Sequence, residues 1–475
     1  MTAAASPTPV SVAAAAGGAR RWVILTLLAV AQLMLVLDVT VVNVALPDIG
    51  SALRLGREAV PWVMTTYTLP FGGLMLLGGR IGDLLGARRV MLTGLVVFTV
   101  SSLLCALAGS AGVLLAGRAA QGVGAALLSP AALALLMSTF TGPERGKALG
   151  VWAALSGVGT ALGVILGGVL TSSVGWRWIF AINVPIGATI LVALPLLVPP
   201  ARVVDARARL DVPGALLVTA GTGAMIYGLI NAGSHGWGAP STLVPLAAAS
   251  AFWVLFAVAE RSAPDPLLRV RLLRHRPVAA GAYLMLIATG LLVGGFFLGS
   301  FALQREHGYS AVHVGVSFLP IAVAIIAGAR TAGLLLTHVS PRAVAASGLA
   351  LAAAGDATAA LWSGPAGLVL GLAVAALGIG ATFVTAFTAS LADVNPAQAG
   401  LRSAIVSTFH ELGGALGVAV LSSLAGADLT ATHLGPHGFT RAFGAAALAA
   451  AASVAVAAVL VPAVTRPAGR TTAAH

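Results

Sequence analysis

Fourteen apolar stretches, each near the length of a bilayer-crossing helix, fill this 475-residue chain and fix what it can fold into. A helix needs about 20 mainly apolar residues to cross the hydrocarbon core. Dividing the chain at charged, Pro/Gly and Asn/Asp clusters gives 22–43, 59–79, 89–108, 112–139, 147–170 and 178–198. Two more follow at 211–230 and 241–259, and then six at 278–304, 311–330, 343–362, 366–391, 401–425 and 442–463. Hydrophobic residues make up 59% of the chain and charged ones 8%, where a soluble domain carries about 25%. The mean hydropathy is +1.00. These values exclude an ordinary soluble enzyme, a disordered chain and a nucleic-acid binder.

The net charge of +12 is explained by where the basic residues fall. With the amino terminus placed in the cytoplasm, only Arg54, Arg57, Arg177, Arg305 and Arg441 lie in outer segments, and Arg118 lies inside a span. The other twenty of the 26 basic residues lie in inner segments. Positive charge is retained on the cytoplasmic side of membrane proteins. The bias therefore predicts a multi-pass protein of the cell membrane with both termini inside. Residues 1–21 read as a flexible cytoplasmic tail, and 464–475 as a second one. The first span lacks a small-residue cleavage site and reads as a retained helix rather than a signal peptide. Cys105, the single cysteine, excludes an intramolecular disulfide and reads as a small packing residue.

The spans group as six, two and six. The expected units are an N-terminal six-helix bundle at 22–198, a linker with two extra helices at 199–277, and a C-terminal six-helix bundle at 278–463. Transporters are often built from repeats. The inner loop after the second span, Gly79 to Arg88, has a counterpart after the tenth, Gly333 to Arg342, with the same Gly-to-Arg spacing. Thr337 stands in the second copy where Asp83 stands in the first.

Several stretches resemble the major facilitator superfamily, and specifically its fourteen-helix drug–proton antiporter branch. LDVTVVNVALP, from Leu37, is similar to that branch's motif at the outer end of the first span. GGRIGDLLGARRV, from Gly78, resembles the loop motif between the second and third spans. LLAGRAAQGVGAA, from Leu114, resembles the motif of the fourth span, and GTALGVILGG, from Gly159, the antiporter motif of the fifth. WRWIFAINVPIG, from Trp176, and AGLRSAIVSTFHELGGALGVAV, from Ala399, are typical of the branch as well. There are departures: Val164 stands where the antiporter motif usually has Pro, and Leu84 where the loop motif often has a basic residue. The resemblance implies an all-α fold of two six-helix bundles plus two central helices. It also implies alternating access, proton-coupled export of small amphipathic or cationic compounds, and no enzymatic reaction. A facilitator for one metabolite and a non-transporting membrane receptor or assembly subunit are the alternatives.

Ionisable residues inside the spans each cost about 2.5–3.5 kcal/mol on insertion scales. Asp38, Arg118, Asp356 and Glu411 lie there and are therefore candidate functional groups. Asp38 either binds and releases the coupling proton or is a structural acid bonded to Thr40, Asn43 or backbone. Arg118 cannot deprotonate and needs a carboxylate, polar groups or water. The resemblance places the first and fourth spans at the cavity, which makes Asp38 its candidate partner; a clamp onto backbone carbonyls is the other reading. Glu411 either pairs a cationic substrate or second proton or bonds Ser407 or Thr408. Asp356 lies on a span that is peripheral in the superfamily and is expected to be structural.

Asp83, Arg88 and Arg89, with Gly79 and Gly86, form the loop expected to latch the inner gate, with Asp83 also a candidate helix cap. Gly157, Gly159, Gly163, Gly167 and Gly168 have the small-residue spacing that brings helices close. Tyr67, Phe71, Gln121, Phe296 and Phe383, with Phe297 and Phe387, are candidates for a substrate cavity, packing being the alternative for each aromatic ring. His433 and His437 are four apart, too few for a metal site. The absence of a Walker A sequence points away from ATP. The expected energy source is the proton gradient without a cofactor. The expected partners are a small-molecule substrate and the lipid bilayer, with no nucleic acid and no obligate protein.

Overall fold

A computed structural model describes residues 18–56, 58–140, 142–199, 210–263, 270–362, 364–391, 396–426 and 437–463. The amino-terminal tail to residue 17, residues 200–209 and 264–269 of the two basic loops, His433 and the tail from 464 lie outside them, as do the surroundings of Gly157. The described residues form helices α1 (Gly18–Ala52), α2 (Val60–Leu85), α3 (Ala87–Ala106), α4 (Ala111–Thr139), α5 (Gly142–Ser173), α6 (Trp178–Ala181), α7 (Asn183–Leu197) and α8 (Val212–His235). They continue as α9 (Pro240–Ser262), α10 (Val270–Leu273), α11 (Arg276–Phe301), α12 (Ala311–Leu335), α13 (Pro341–Leu361), α14 (Pro365–Ser390), α15 (Pro396–Ala425) and α16 (His437–Leu460). A π-helical turn, Ala302–Glu306, extends α11.

Thirteen helical segments are long and apolar enough to cross a membrane, with α6 and α7 together making one of them. The 32-residue α5 supplies the fourteenth helix of membrane-spanning length. Helical hydrogen bonding within each segment satisfies the backbone where water is absent, which is why spans of this composition form helices and no lipid-exposed loops.

Several spans run past their expected ends, among them α1 and α2. α1 continues from 43 to Ala52 through Pro47, because Val42, Val44, Leu46 and Ile49 are buried and hold the extra turns. Asp38 therefore sits near the middle of a 35-residue helix rather than towards its outer end. α2 continues to Leu85, so Gly79 and Asp83 lie on its last turns and not in a loop. The chain reverses at Gly86, whose φ of 91° suits glycine. Asp83 does not cap a helix: the N-cap of α3 is Gly86, and no side chain caps it.

The buried apolar residues explain how the halves meet. One cluster, around Phe98, Phe140 and Leu194, draws only on α1–α7 and their flanks. Another, around Leu284, Leu349 and Val406, draws only on α11–α16 and the residue after them. A third joins Val44, Ile49, Val60 and Phe180 to Phe297, Phe301, Phe318 and Phe443. The halves thus share a core at the end that carries the α1–α2 connection, and α2 also meets the other half further along, with Leu69 against the cluster of Ala415 and Ala419 and Leu76 against that of Val278, Ala282 and Ile405.

Polar bonds and close backbone approaches seal that shared end. Gln304 Nε2 donates to Val44 O at 2.9 Å, and an Arg305 Nη2 donates to Ser51 Oγ at 2.8 Å. Val312 N donates to Ser172 Oγ at 3.1 Å. Gly168 packs so closely on α12 that a Cβ there would stand 2.6 Å from Ala311 O, and one on Gly315 would stand 2.8 Å from Val164 O. Val164, where a proline is usual, thus offers its carbonyl to the seam within an uninterrupted helix.

Candidate functional site

Asp38 on α1 and Arg118 on α4 form an ion pair through Oδ2 and Nη1, with both side chains at 0% exposure. Gly163 makes this possible on the α1 side. Its missing Cβ lets α5 sit directly against Thr40, while Gly159 meets Leu33 and Val36, and Gly167 meets Val41. Small residues at helix crossings allow such approaches. On the α4 side, Gly122 fits against the backbone of Tyr67, and a Cβ on Gly124 would stand 2.7 Å from Phe98 N. The glycines of both motifs are thus packing positions that hold the charged residues in register.

The pair is embedded in a polar network. Arg118 Nε donates to Val63 O at 3.0 Å, and Nη1 donates to Gln121 Oε1 at 2.9 Å. Gln121 Nε2 donates to Asp38 Oδ1 at 3.2 Å and to Ser102 Oγ at 2.7 Å. Asn183 Nδ2 donates to Asp38 Oδ1 at 3.3 Å. The guanidinium carbon lies 4.4 Å from the Tyr67 ring centre and 5.7 Å from that of Phe180. Burying two charges costs several kcal/mol each and is offset only by good geometry and full hydrogen bonding. Here the carboxylate gains that from Arg118, Gln121 and Asn183. Arg118 Nη2 and the Tyr67 hydroxyl, both buried, have no hydrogen-bond partner among the described residues.

Sequence reasoning named both charges but missed Asn183 and Ser102, and it assigned Gln121 and Tyr67 to a substrate cavity. Gln121 is instead the bridge between Asp38, Arg118 and Ser102, and Tyr67 is the ring over the guanidinium. Asn183 stood in a motif already quoted, as a lone amide between apolar residues. That polarity was the available signal. Thr40 and Asn43, the alternative partners of Asp38, turn to their own helix: Thr40 Oγ1 bonds Val36 O at 3.1 Å, and Asn43 Nδ2 bonds Val39 O at 3.4 Å.

Glu411 on α15 is half-buried across the interface from α2, where a Cβ on Gly72 would stand 2.8 Å from its own Cβ. Neither Ser407 nor Thr408 bonds it; Thr408 Oγ1 has no partner among the described residues. His410 turns the other way, its Nδ1 2.8 Å from Thr289 Oγ1 and its ring centre 5.5 Å from that of Phe383. Phe71 and Phe296 are buried at 3% and 4%, against Tyr67 and Phe318 respectively, so they are packing rings here and not an open lining. Phe297 is buried too, and Phe387 is exposed.

The loop cluster is open. Asp83 and Arg89 are exposed, and Asp83 forms no ion pair among the described residues. Arg88 Nη2 donates to Pro195 O at 3.2 Å. The expected Asp83–Arg88–Arg89 cluster is therefore not assembled in this arrangement, because Arg88 caps the carboxyl end of α7.

Two bundles of helices long and apolar enough to cross a membrane, with an ion pair buried between α1 and α4, are an arrangement suited to a solute transporter. The sequence profile of the Major Facilitator Superfamily matches residues 28–418. The chain belongs to that family.

Its relatives agree. It is 39% identical over 444 residues to the puromycin resistance protein of Streptomyces alboniger, covering 91% of this chain and 87% of that one. It is 37% identical to the cephamycin export protein of Amycolatopsis lactamdurans, covering 85% and 84%. It is 36% identical to the lincomycin resistance protein of Streptomyces lincolnensis, covering 86% and 85%. Among solved structures, a bacterial homologue of the human lysosomal transporter Spinster, inward-facing and occupied, superposes with a TM-score of 0.65 at 17% identity. That match covers 94% of this chain and 98% of the other and shows the shared fold.

Proposed function

We propose that this protein is a proton-coupled exporter of small amphipathic or cationic compounds, working by alternating access. The observation that carries the reading is the fully buried Asp38–Arg118 pair, held by Gln121 and Asn183 between α1 and α4. Arg118 keeps its charge throughout, so the variable partner is Asp38. A proton on Asp38 removes the attraction to Arg118 and frees α1 to shift against α4. Loss of that proton re-forms the pair. Relatives named for puromycin resistance, cephamycin export and lincomycin resistance support export as the direction.

The charge bias puts both termini in the cytoplasm and makes the sealed end the outer one, since Arg54, Arg177 and Arg305 lie there. The arrangement described is then inward-facing, and the unassembled Asp83 latch fits a gate that is open on that side. Glu411, across from Gly72 of α2, would meet a cationic group arriving from the cytoplasmic side. The proton gradient supplies the energy.

The test is efflux from vesicles loaded with puromycin or ethidium, with and without an imposed pH gradient. Gradient-driven efflux that disappears in Asp38→Asn is expected. Efflux equally fast without the gradient, in a preparation shown to be functional, overturns the coupling and favours a facilitator.

A further inference from the structure

Lys147, Val151, Leu155, Gly159, Gly163 and Gly167 follow one another at four-residue spacing and share one face of α5. The glycines of that row bring α5 onto α1. Gly163 and Gly167 lie on Thr40 and Val41, and a Cβ on Gly159 would stand 2.7 Å from Val36 Cγ1. Towards the amino-terminal end the row changes to Leu155 and Val151, whose side chains cannot approach as glycine does. They leave a groove of about 280 Å³, walled by Trp22, Leu25, Ala29 and Leu33 of α1 and by Val151 and Leu155 of α5. Every lining residue belongs to these two helices, so the remaining side is open.

The lining offers nothing to water, which needs about two to four polar partners. Its one hydroxyl, Thr26 Oγ1, donates to Trp22 O at 3.0 Å. Trp22 is held as a wall by an edge-on contact with Phe140, 5.5 Å between ring centres, and is 40% exposed. Tryptophan at the end of a membrane helix sits at the level of the lipid headgroups. Basic groups gather at the same end. Arg21 precedes Trp22, and Lys147, one turn before Val151, is exposed. Arg20 donates to Leu197 O through Nε at 3.1 Å and Nη2 at 2.8 Å. Glu144 is the acid of this rim, its Oε2 3.6 Å from Arg21 Nη1. Three cations against one acid leave the rim positive.

We propose that this groove binds one acyl chain of an anionic phospholipid, with the phosphate at Arg21 and Lys147. An acyl chain is a narrow apolar occupant that enters a trough between two helices from its open side. The phosphate supplies the negative charge that the rim lacks. The charge bias puts this end at the cytoplasmic leaflet, whose anionic lipids attract Lys and Arg side chains. A zwitterionic lipid gains the trough alone, and a cationic export substrate is repelled by the rim. The site is separate from the Asp38–Arg118 network and from Glu411, and it does not depend on the export reading.

The experiment places the full chain in phosphatidylcholine nanodiscs with a small fraction of brominated-chain lipid, either phosphatidylglycerol or phosphatidylcholine. Bromine quenches tryptophan on contact, and the Trp22 signal is the difference between the native chain and Trp22→Phe. Brominated phosphatidylglycerol is expected to quench Trp22 more strongly than brominated phosphatidylcholine. Arg21→Gln and Lys147→Gln should each weaken that preference about fivefold, the effect of one basic residue at an anionic membrane surface. Ala29→Phe and Val151→Phe fill the groove from opposite walls and should abolish it. Thermal unfolding is compared first, and failure of one filled variant to fold leaves the other to decide. Equal quenching by the two lipids overturns the site. A preference that survives in a folded, filled variant overturns it as well, since the rim would then act without the trough. A preference unchanged in both Arg21→Gln and Lys147→Gln overturns the phosphate contact. Puromycin that removes the quenching makes the exported compound the occupant and overturns the lipid site.

Discussion

Removing the charge of Asp38 while keeping its shape, by Asp38→Asn, isolates what the ion pair contributes. Arg118 Nη1 would lose its charged partner but keep Gln121 Oε1 at 2.9 Å, while Nε keeps Val63 O at 3.0 Å and the guanidinium keeps the Tyr67 ring at 4.4 Å. Breaking a buried pair from one side costs about 3–5 kcal/mol, because a charge is left uncompensated. A desolvated cation–π contact returns about 2 kcal/mol or more of support, but it is present before and after the change and cancels. The expected loss is therefore about 3 kcal/mol or somewhat more for Asp38→Asn, and similar for Arg118→Gln. The double variant removes both charges at once and should lose much less than the sum, with a coupling of about 0.5–3 kcal/mol or beyond. Cys105 gives the assay: it is the single cysteine, is buried, and its Sγ lies 3.5 Å from Gln121 Oε1. A thiol-reactive dye thus reports opening of this very region during thermal unfolding in detergent. Additive losses, with no coupling between Asp38 and Arg118, would refute the claim that each charge is tolerated only because of the other.

The remaining predictions concern packing, seam and substrate. Gly163→Ala pushes a Cβ onto Thr40 Oγ1 and should cost about 1–3 kcal/mol, partly relieved by Thr40→Ala, as read by the same dye assay. Gly168→Val places bulk against Ala311 O and should open the outer seam without unfolding either half; an unchanged distance between spin labels at Ala52→Cys and Glu306→Cys would contradict it. Glu411→Gln should reduce ethidium export about tenfold, a loss of about 1.4 kcal/mol in binding, while sparing an uncharged substrate; equal losses for both compounds would remove Glu411 from cation recognition. Gly86→Ala forces a Cβ onto a residue at φ 91° and should lower stability by about 1–2 kcal/mol, measured by thermal unfolding.

Membrane class, the number of long helices, the family resemblance and the identity of the ionisable residues buried among them are legible in the residues alone. Those are readable because hydrocarbon penalises each unpaired polar group, so apolar length and rare charges are written directly into the chain. The sequence also marked Gly159, Gly163, Gly167 and Gly168 as close-packing positions, though not that three of them face α1 and Gly168 faces the other half. Helix ends were harder to read: Pro47 and Asp48 look like a boundary, yet burial of Val44, Leu46 and Ile49 carries α1 past them.

Which polar groups meet is settled by how the helices pack. Asp38, Gln121 and Asn183 are scattered over 145 positions of sequence, and their union depends on how α1, α4 and α7 are rotated about their axes. The same rotations turned Tyr67 from a cavity ring into a lid on Arg118, and left Asp356 Oδ2 without a hydrogen-bond partner among the described residues where Asp38 is fully paired. The physical reason is that a lone charge has the same insertion cost wherever its partner comes from. The chain records the cost locally, and the fold supplies the compensation from afar.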